Sequence, residues 1–286
     1  MKITAAFKAF LANSEIYKNK NTVQYETAIL KDLQAFFNRI NIENLEAIKS
    51  DHINQFIQES KATRKNNTIN KYLKALRQLT KFNQVNNLDI LNLKLLRVQK
   101  RHIKVIQENE LKLVLRYINS LNDSNNNLVY KVIIFLLLDT GVRREELLNI
   151  KIKNIDMDNR MIYLEETKTK EDRYVLFTEL SERHIKNLIR IVGHQDYLIW
   201  NIMRNRRYSV NDMKSLFRRL KVKLGIKDLS PHMFRHTMAT LLYENDAELP
   251  TIQKLLGHRD LSTTQIYVRA SLAKVKKDYE RAMRYN

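Results

Sequence analysis

Four glycines and two prolines are all that the 286 residues contain. A fold built on β-hairpins draws heavily on both for its tight turns, so a supply this small points to helices joined by polar connections. The positions of the rare residues then carry information. Gly141, Gly257 and Pro231 each fall inside a segment that also holds Arg or His. The length, with 44% hydrophobic residues, suits two domains with separate cores.

The first hundred residues read as a small helical domain. From about Thr68 to Phe82, Ile69, Tyr72, Leu73, Leu76, Leu79 and Phe82 recur at helical spacing, with Lys71, Lys74, Arg77 and Lys81 on the remaining faces. A second amphipathic segment runs from about Thr22 to Phe37, and a third lies near Ile53 to Ile57. Residues 97–106 are charged, lack helical periodicity and precede a new helix near Glu108, which places a linker there. The expected division is therefore 1–96, a linker at 97–106, and 107–286. In the second part, helices are expected at about 108–119 and 126–139. Two short strands, Met161 to Glu165 and Arg173 to Phe177, flank a polar turn, and helices resume near Glu179. Val132 to Leu138 is the most apolar run, far too short to span a membrane, and reads as a buried helix. Arg204 to Lys223 carries eight basic residues interleaved with apolar ones, as an amphipathic helix with a basic face would, Arg218 and Arg219 among them.

Lys and Arg outnumber Asp and Glu by 51 to 31, a net charge of +20. The excess is shared: residues 1–100 hold 17 basic and 8 acidic side chains, and the remainder 34 and 23. A polyanion is the physical expectation for a partner, because each neutralised phosphate releases condensed counterions. Two basic domains argue for two DNA-facing surfaces, with Lys71, Lys74, Arg77, Lys81, Arg218 and Arg219 as the contacts. The plain alternative is a solvated face in a generally basic proteome. There is no cysteine, which excludes disulfides and thiolate metal sites. No apolar N-terminal stretch resembles a signal peptide, so a cytoplasmic protein without membrane contact is expected.

Near the C-terminus stand Pro231-His232-Met233-Phe234-Arg235-His236-Thr237, then Leu256-Gly257-His258, then Tyr267. Upstream is Thr140-Gly141-Val142-Arg143-Arg144-Glu145-Glu146-Leu147. A tyrosine that attacks a phosphodiester needs help, since a phenol of pKa about 10 is roughly a thousandth ionised at neutral pH. The transition state gathers charge on the non-bridging oxygens, which two fixed guanidiniums would stabilise; Arg143 and Arg235 are the candidates. His232 shares a helical face with Arg235 and can bond the phosphate or take the tyrosine proton. His258 can supply another phosphate donor. A lysine would then protonate the leaving 5′ oxygen. Taken singly, the residues have bland readings: a surface arginine after a turn, a packed tyrosine, or a zinc pair from His232 and His236. For zinc there is neither His-Glu-x-x-His nor cysteine.

Together these segments resemble the tyrosine recombinases of the phage integrase family, over about residues 108–270. The resemblance implies a mainly α fold: a helical N-terminal core-binding domain, then a mixed α/β catalytic domain with a small antiparallel sheet. It assigns Arg143, His232, Arg235, His258 and the nucleophile Tyr267 to catalysis, with Glu146 in support. The family's lysine lies in the turn between two strands, where Lys168 fits by register and Lys170 is the alternative. The turn lacks the glycine common there. His236 is expected to be structural, bonding within the helix layer. Residues 271–286 are amphipathic, and by resemblance would dock into a neighbouring protomer rather than onto their own domain. Also implied are strand exchange through a 3′-phosphotyrosyl bond and a Holliday junction, with the two domains clamping a duplex, and no cofactor or metal. The implied partners are double-stranded DNA with a specific, partly palindromic core site, a homotetramer in the synaptic complex, and an accessory protein. The size fits Xer-like recombinases, transposon resolvases or a compact integrase of a mobile element. A non-catalytic DNA-binding protein of the same fold and a type IB topoisomerase are the other readings.

Overall fold

The computed structural model describes the chain except residues 99–102, 166–171, 259, 271–273 and 275–286; for 125, 261, 262 and 268–270 it describes backbone alone. The chain forms two compact units, Met1–Arg101 and His102–Asn286.

The first unit is helical: α1 Ile3–Tyr17, α2 Lys20–Arg39, α3 Ser50–Lys61, α4 Asn66–Phe82 and the single turn α5 Leu88–Leu91. Its core is one cluster to which α1 to α4 contribute stripes spaced by three or four, such as Ile3, Phe7 and Phe10 of α1 or Ile69, Leu73, Leu76 and Leu79 of α4, and α5 adds Ile90. Phe56 joins three helices, with its ring 5.1 Å from Phe36 and 5.6 Å from Tyr72. Buried amides fasten the connections. Asn87 donates to the carbonyls of Leu45 (2.8 Å) and Ile48 (2.9 Å) while its oxygen caps α5 at the Ile90 amide. Asn70 holds both backbone groups of Leu96. Such groups are costly to bury unpaired, so they select one path for the chain. Sequence periodicity had singled out α2, α3 and α4 but neither α1 nor α5.

The second unit runs α6 Glu108–Ser120, α7 Asn125–Thr140, α8 Arg144–Leu148, β1 Ile155–Asp156, β2 Met161–Leu164, β3 Arg173–Leu176, α9 Glu179–Val192, β4 Trp200–Asn201, β5 Arg206–Arg207, α10 Val210–Leu224, α11 Pro231–Glu244, α12 Leu249–Leu256 and α13 Leu261–Ala270. Helix α7 is its axis and packs on α9 and α11. From Val132 to Leu137 every side chain is buried, as its unbroken apolar sequence requires. Strands β1, β2 and β3 form an antiparallel sheet in that order, with Met161 opposite Leu176 and Leu164 opposite Arg173. Ile162, Leu164 and Val175 face the core, whereas Tyr174 and Leu176 are exposed, the period-two alternation of a one-sided sheet.

One expectation is corrected here. Arg204 to Lys223 is not a continuous helix, because Arg206 and Arg207 pair with β4 in a hairpin and α10 begins only at Val210. Ser209 sets that start. Its hydroxyl accepts from the Asp212 amide at 3.1 Å, and the Asp212 carboxylate accepts from the Ser209 amide at 2.8 Å. This reciprocal box satisfies two otherwise orphaned donors.

Candidate active site

Three segments converge in the second unit: the α7–α8 corner, the first turns of α11, and the stretch from α12 into α13. Gly141 makes the corner possible. It ends α7 in the left-handed region at φ +57°, and a Cβ there would lie 3.0 Å from Leu256 Cδ2 and 3.1 Å from Met238 Sδ. The chain can therefore reverse against α12 and present Arg143 as the residue before α8. The Arg143 amide donates to Glu146 Oε2 at 2.8 Å, its Nη1 to Oε1 at 2.7 Å, and its Nη2 to the Gly257 carbonyl at 3.3 Å. The side chain remains 22% exposed, while that of Glu146 is 7% exposed. Burial pushes the Glu146 carboxyl up, but hydrogen bonding and charge from Arg173, with Arg143 adding to them, hold it below the ordinary range. It is a carboxylate at neutral pH.

Pro231 starts α11, where its missing N–H costs nothing. Arg235, one turn in, is 2% exposed. It donates from Nη1 to the Gly141 carbonyl and from Nη2 to the Leu256 carbonyl, each at 2.6 Å. Two of its five N–H donors are thus spent on helix-end carbonyls, which fixes where the others point. Burial, with the Arg143 charge, lowers its pKa to about 10, so it stays cationic.

Gly257 ends α12, again left-handed at φ +62°. His258 follows, its Nδ1 3.0 Å from Thr264 Oγ1, and its ring lies parallel to that of Tyr267 with centroids 6.4 Å apart. Tyr267 is fully buried, and its hydroxyl is 3.1 Å from His236 Nδ1. The His232 ring meets that of His236 edge-on at 4.5 Å. Burial lowers the pKa of His236 to about 4, helped by His232 and Arg235, and that of His258 to about 4, helped by Arg235 and Arg143. It also lowers that of His232. At neutral pH these imidazoles are uncharged, so in the tautomer protonated at Nε2 the His236 Nδ1 can accept the hydrogen of the Tyr267 hydroxyl. Burial raises the Tyr267 phenol, opposed by the charges of Arg235 and Arg143. Two fixed cations, three neutral imidazoles and a phenol in one place are suited to binding an anionic tetrahedral group and moving a proton at its edge.

Arg143, Glu146, His232, Arg235, His258 and Tyr267, named from sequence, are brought together. Lys168 and Lys170 lie outside the described residues, as do residues 271–286 except Lys274. Lys274 is buried and paired with Asp246. Lys71, Lys74 and Lys81 are exposed on α4 in the other unit, with the Lys71 ammonium 5.3 Å from the Tyr25 ring centroid. Arg77, by contrast, turns inward to the Leu93 carbonyl. Arg218 is exposed; Arg219 lies over the Tyr130 ring and donates to its hydroxyl at 2.7 Å. The sequence does not single out Arg173, which pairs with Glu146 from 27 positions away with no local signal. His236, expected to bond within the helix layer, does so to the hydroxyl of Tyr267 on α13. Among the described residues, no group of three or more His, Asp or Glu is placed to hold a metal ion, and no helix is long and apolar enough to cross a membrane.

Comparison with known proteins returns consistent relatives. Residues 104–274 match the phage integrase family, and residues 5–84 match the phage integrase N-terminal SAM-like domain. A probable integrase/recombinase of Acholeplasma phage L2 is 33% identical over 216 residues, 76% of this chain and 74% of that protein. Tyrosine recombinase XerA of Saccharolobus solfataricus is 37% identical over 192 residues, 65% of this chain and 59% of its own length. Among solved structures, the Tn1549 transposon integrase in complex with a circular intermediate DNA superposes with a TM-score of 0.82. That match is 18% identical, covers 98% of this chain and 99% of the other, and establishes the fold.

Proposed function

Because the chain belongs to the phage integrase family of tyrosine recombinases, we propose that it cleaves and rejoins duplex DNA at a specific core site through Tyr267. The observation that carries this reading is the convergence of Arg143, Arg235, His232 and His258 on one buried tyrosine. Arg143 and Arg235 bind the non-bridging oxygens of the scissile phosphate, with His232 and His258 as further donors. The Tyr267 oxygen attacks phosphorus, and its proton passes to a neutral imidazole, that of His236 being in contact with it here. The phosphorus–O5′ bond breaks, leaving a 3′-phosphotyrosyl bond, and a lysine between β2 and β3 in the sequence, Lys168 or Lys170, protonates the departing oxygen. Attack by a 5′-hydroxyl from a partner strand reverses each step. Bond energy is conserved in the covalent intermediate, so no nucleotide is consumed. A buried hydroxyl does not meet a phosphate unaided, so seating DNA shifts the segment that carries Tyr267.

On this reading strand exchange passes through a Holliday junction in a complex of four protomers, and residues 271–286 link neighbours head to tail so that the contacts close into a ring. Exposed lysines of α4 and the cations of α10 bind the phosphate backbone of DNA, and the Tn1549 transposon integrase of similar fold was solved in complex with DNA. Resolution of dimers or cointegrates and movement of a mobile element are the roles that fit. Covalent capture tests the reading. Nicked duplexes from the DNA flanking the gene are incubated with protein, without metal or nucleotide, and resolved under denaturing conditions. A shifted band with the wild type, abolished by Tyr267→Phe, is the expected result. Tight binding of the same fragments without an adduct would favour a DNA-binding role alone, and relaxation of plasmids lacking the site would favour a topoisomerase.

A further inference from the structure

Arg173 is the first residue of β3 and follows Lys170 by three positions and Lys168 by five. Its guanidinium grips Glu146 at two points, Nη1 to Oε1 at 3.2 Å and Nη2 to Oε2 at 2.8 Å, and its Nε donates to the Leu255 carbonyl at 3.2 Å. The side chain is only 9% exposed. Gly257 makes room for it: a Cβ there would fall 2.8 Å from Arg173 Nη1 and 3.0 Å from its Cδ and Cζ. Glu146 turns the same two oxygens toward Arg143, so one buried carboxylate is shared by two guanidiniums.

The charges explain why the sharing matters. Glu146 paired with Arg143 alone would form a neutral couple, with the carboxylate offsetting part of the attraction the guanidinium exerts on a phosphate. A second guanidinium leaves the trio with a net single positive charge and fixes the carboxylate plane on which Arg143 rests. We propose that Arg173 is a positioning residue for strand cleavage: it consumes the negative charge of Glu146, so that Arg143 keeps both its charge and its aim for the scissile phosphate. Through Leu255 and Gly257 the same brace anchors the end of α12, from which His258 emerges. The inference rests on the reading that Arg143 contacts that phosphate. Lysine cannot reproduce it, because a point charge cannot span both carboxylate oxygens and the Leu255 carbonyl.

Arg173→Lys and Arg173→Ala would be compared with wild type by the rate of covalent adduct formation on the nicked duplexes, with duplex affinity measured in parallel. Arg173→Lys keeps the charge and most of the volume, and serves as the folded control. Cleavage should fall by roughly tenfold for Lys and about 100-fold for Ala, with affinity within about twofold, since most of the phosphate-binding surface is untouched. A second substrate carries a methylphosphonate at the scissile position, which has no anionic charge for Arg143 to neutralise. There the deficit of both variants should shrink to within about threefold of wild type, whereas a merely structural defect would persist. A rate unchanged in both variants, or a deficit of equal size on the two substrates, would overturn the proposal. A wild-type protein that forms no adduct would instead strike the reading of Tyr267 on which the proposal rests.

Discussion

On α4 of the first unit Lys71, Lys74 and Lys81 stand in solvent, whereas at the centre of the second Arg235 is 2% exposed with two of its donors locked onto backbone carbonyls. Both sets are cations suited to the same polyanion, yet the physics differs. An exposed ammonium attracts phosphate over a Debye length of about 8–10 Å, is screened by salt and needs no fixed geometry. A buried guanidinium has already been desolvated by folding, so it meets charge in a medium of low dielectric and at a set angle. On the proposed reading, the first arrangement gathers DNA and the second acts on one phosphate. Arg77 shows that residue type alone does not decide, for it sits among those lysines and yet caps the Leu93 carbonyl.

The comparison is broken most severely at Arg235. Arg235→Ala orphans the Gly141 and Leu256 carbonyls and should cost about 3 kcal/mol of unfolding free energy, read from urea denaturation. Cleavage should drop by about 100-fold or more, while duplex affinity changes little. A variant that stayed as stable as wild type would show that the carbonyls find other partners.

A second effect follows from the histidines. Those at the site have depressed pKa values, His236 and His258 at about 4 against an ordinary 6.5. The unfolded chain therefore takes up protons that the folded unit refuses, and their contribution to stability, complete above pH 6.5, is lost as pH falls toward 4. Thermal melts across that window should show the second unit losing stability, and His236→Phe should flatten the slope. An equal slope in that variant would place the titration elsewhere.

The smallest effect on folding comes from the lysines. Replacing Lys71, Lys74 and Lys81 together with Ala should shift stability by no more than about 0.5 kcal/mol per site. The salt dependence of duplex binding should weaken by roughly 0.9 in slope for each phosphate that is no longer neutralised. An unchanged slope, measured by fluorescence anisotropy over a series of salt concentrations, would mean that α4 does not face DNA.

Much of this molecule was written locally. Helical periodicity around Leu73 and Leu76, the buried run from Val132, and the alternation on either side of residues 167–172 are short-range patterns, and burial follows them because apolar surface avoids water wherever the chain puts it. The site residues were legible for a related reason. Gly141, Pro231 and Gly257 are backbone devices, and the side chains beside them are of types whose chemistry is narrow. What the sequence left open involves partners far apart along the chain. Nothing near Arg173 announces Glu146; Ser209 and Asp212 do mark the start of α10 locally, yet that Arg206 and Arg207 form a strand shows only in their pairing with β4. The bond within the helix layer expected of His236 is made to Tyr267, which the fold carries to its ring from 31 residues away. Local spacing thus determined which residue types were present and which faces they shared. Which cation gave up its water, which carboxylate was shared and which nitrogen met the phenol were decided only when distant segments packed, because desolvation and directed hydrogen bonds are properties of the assembled interior.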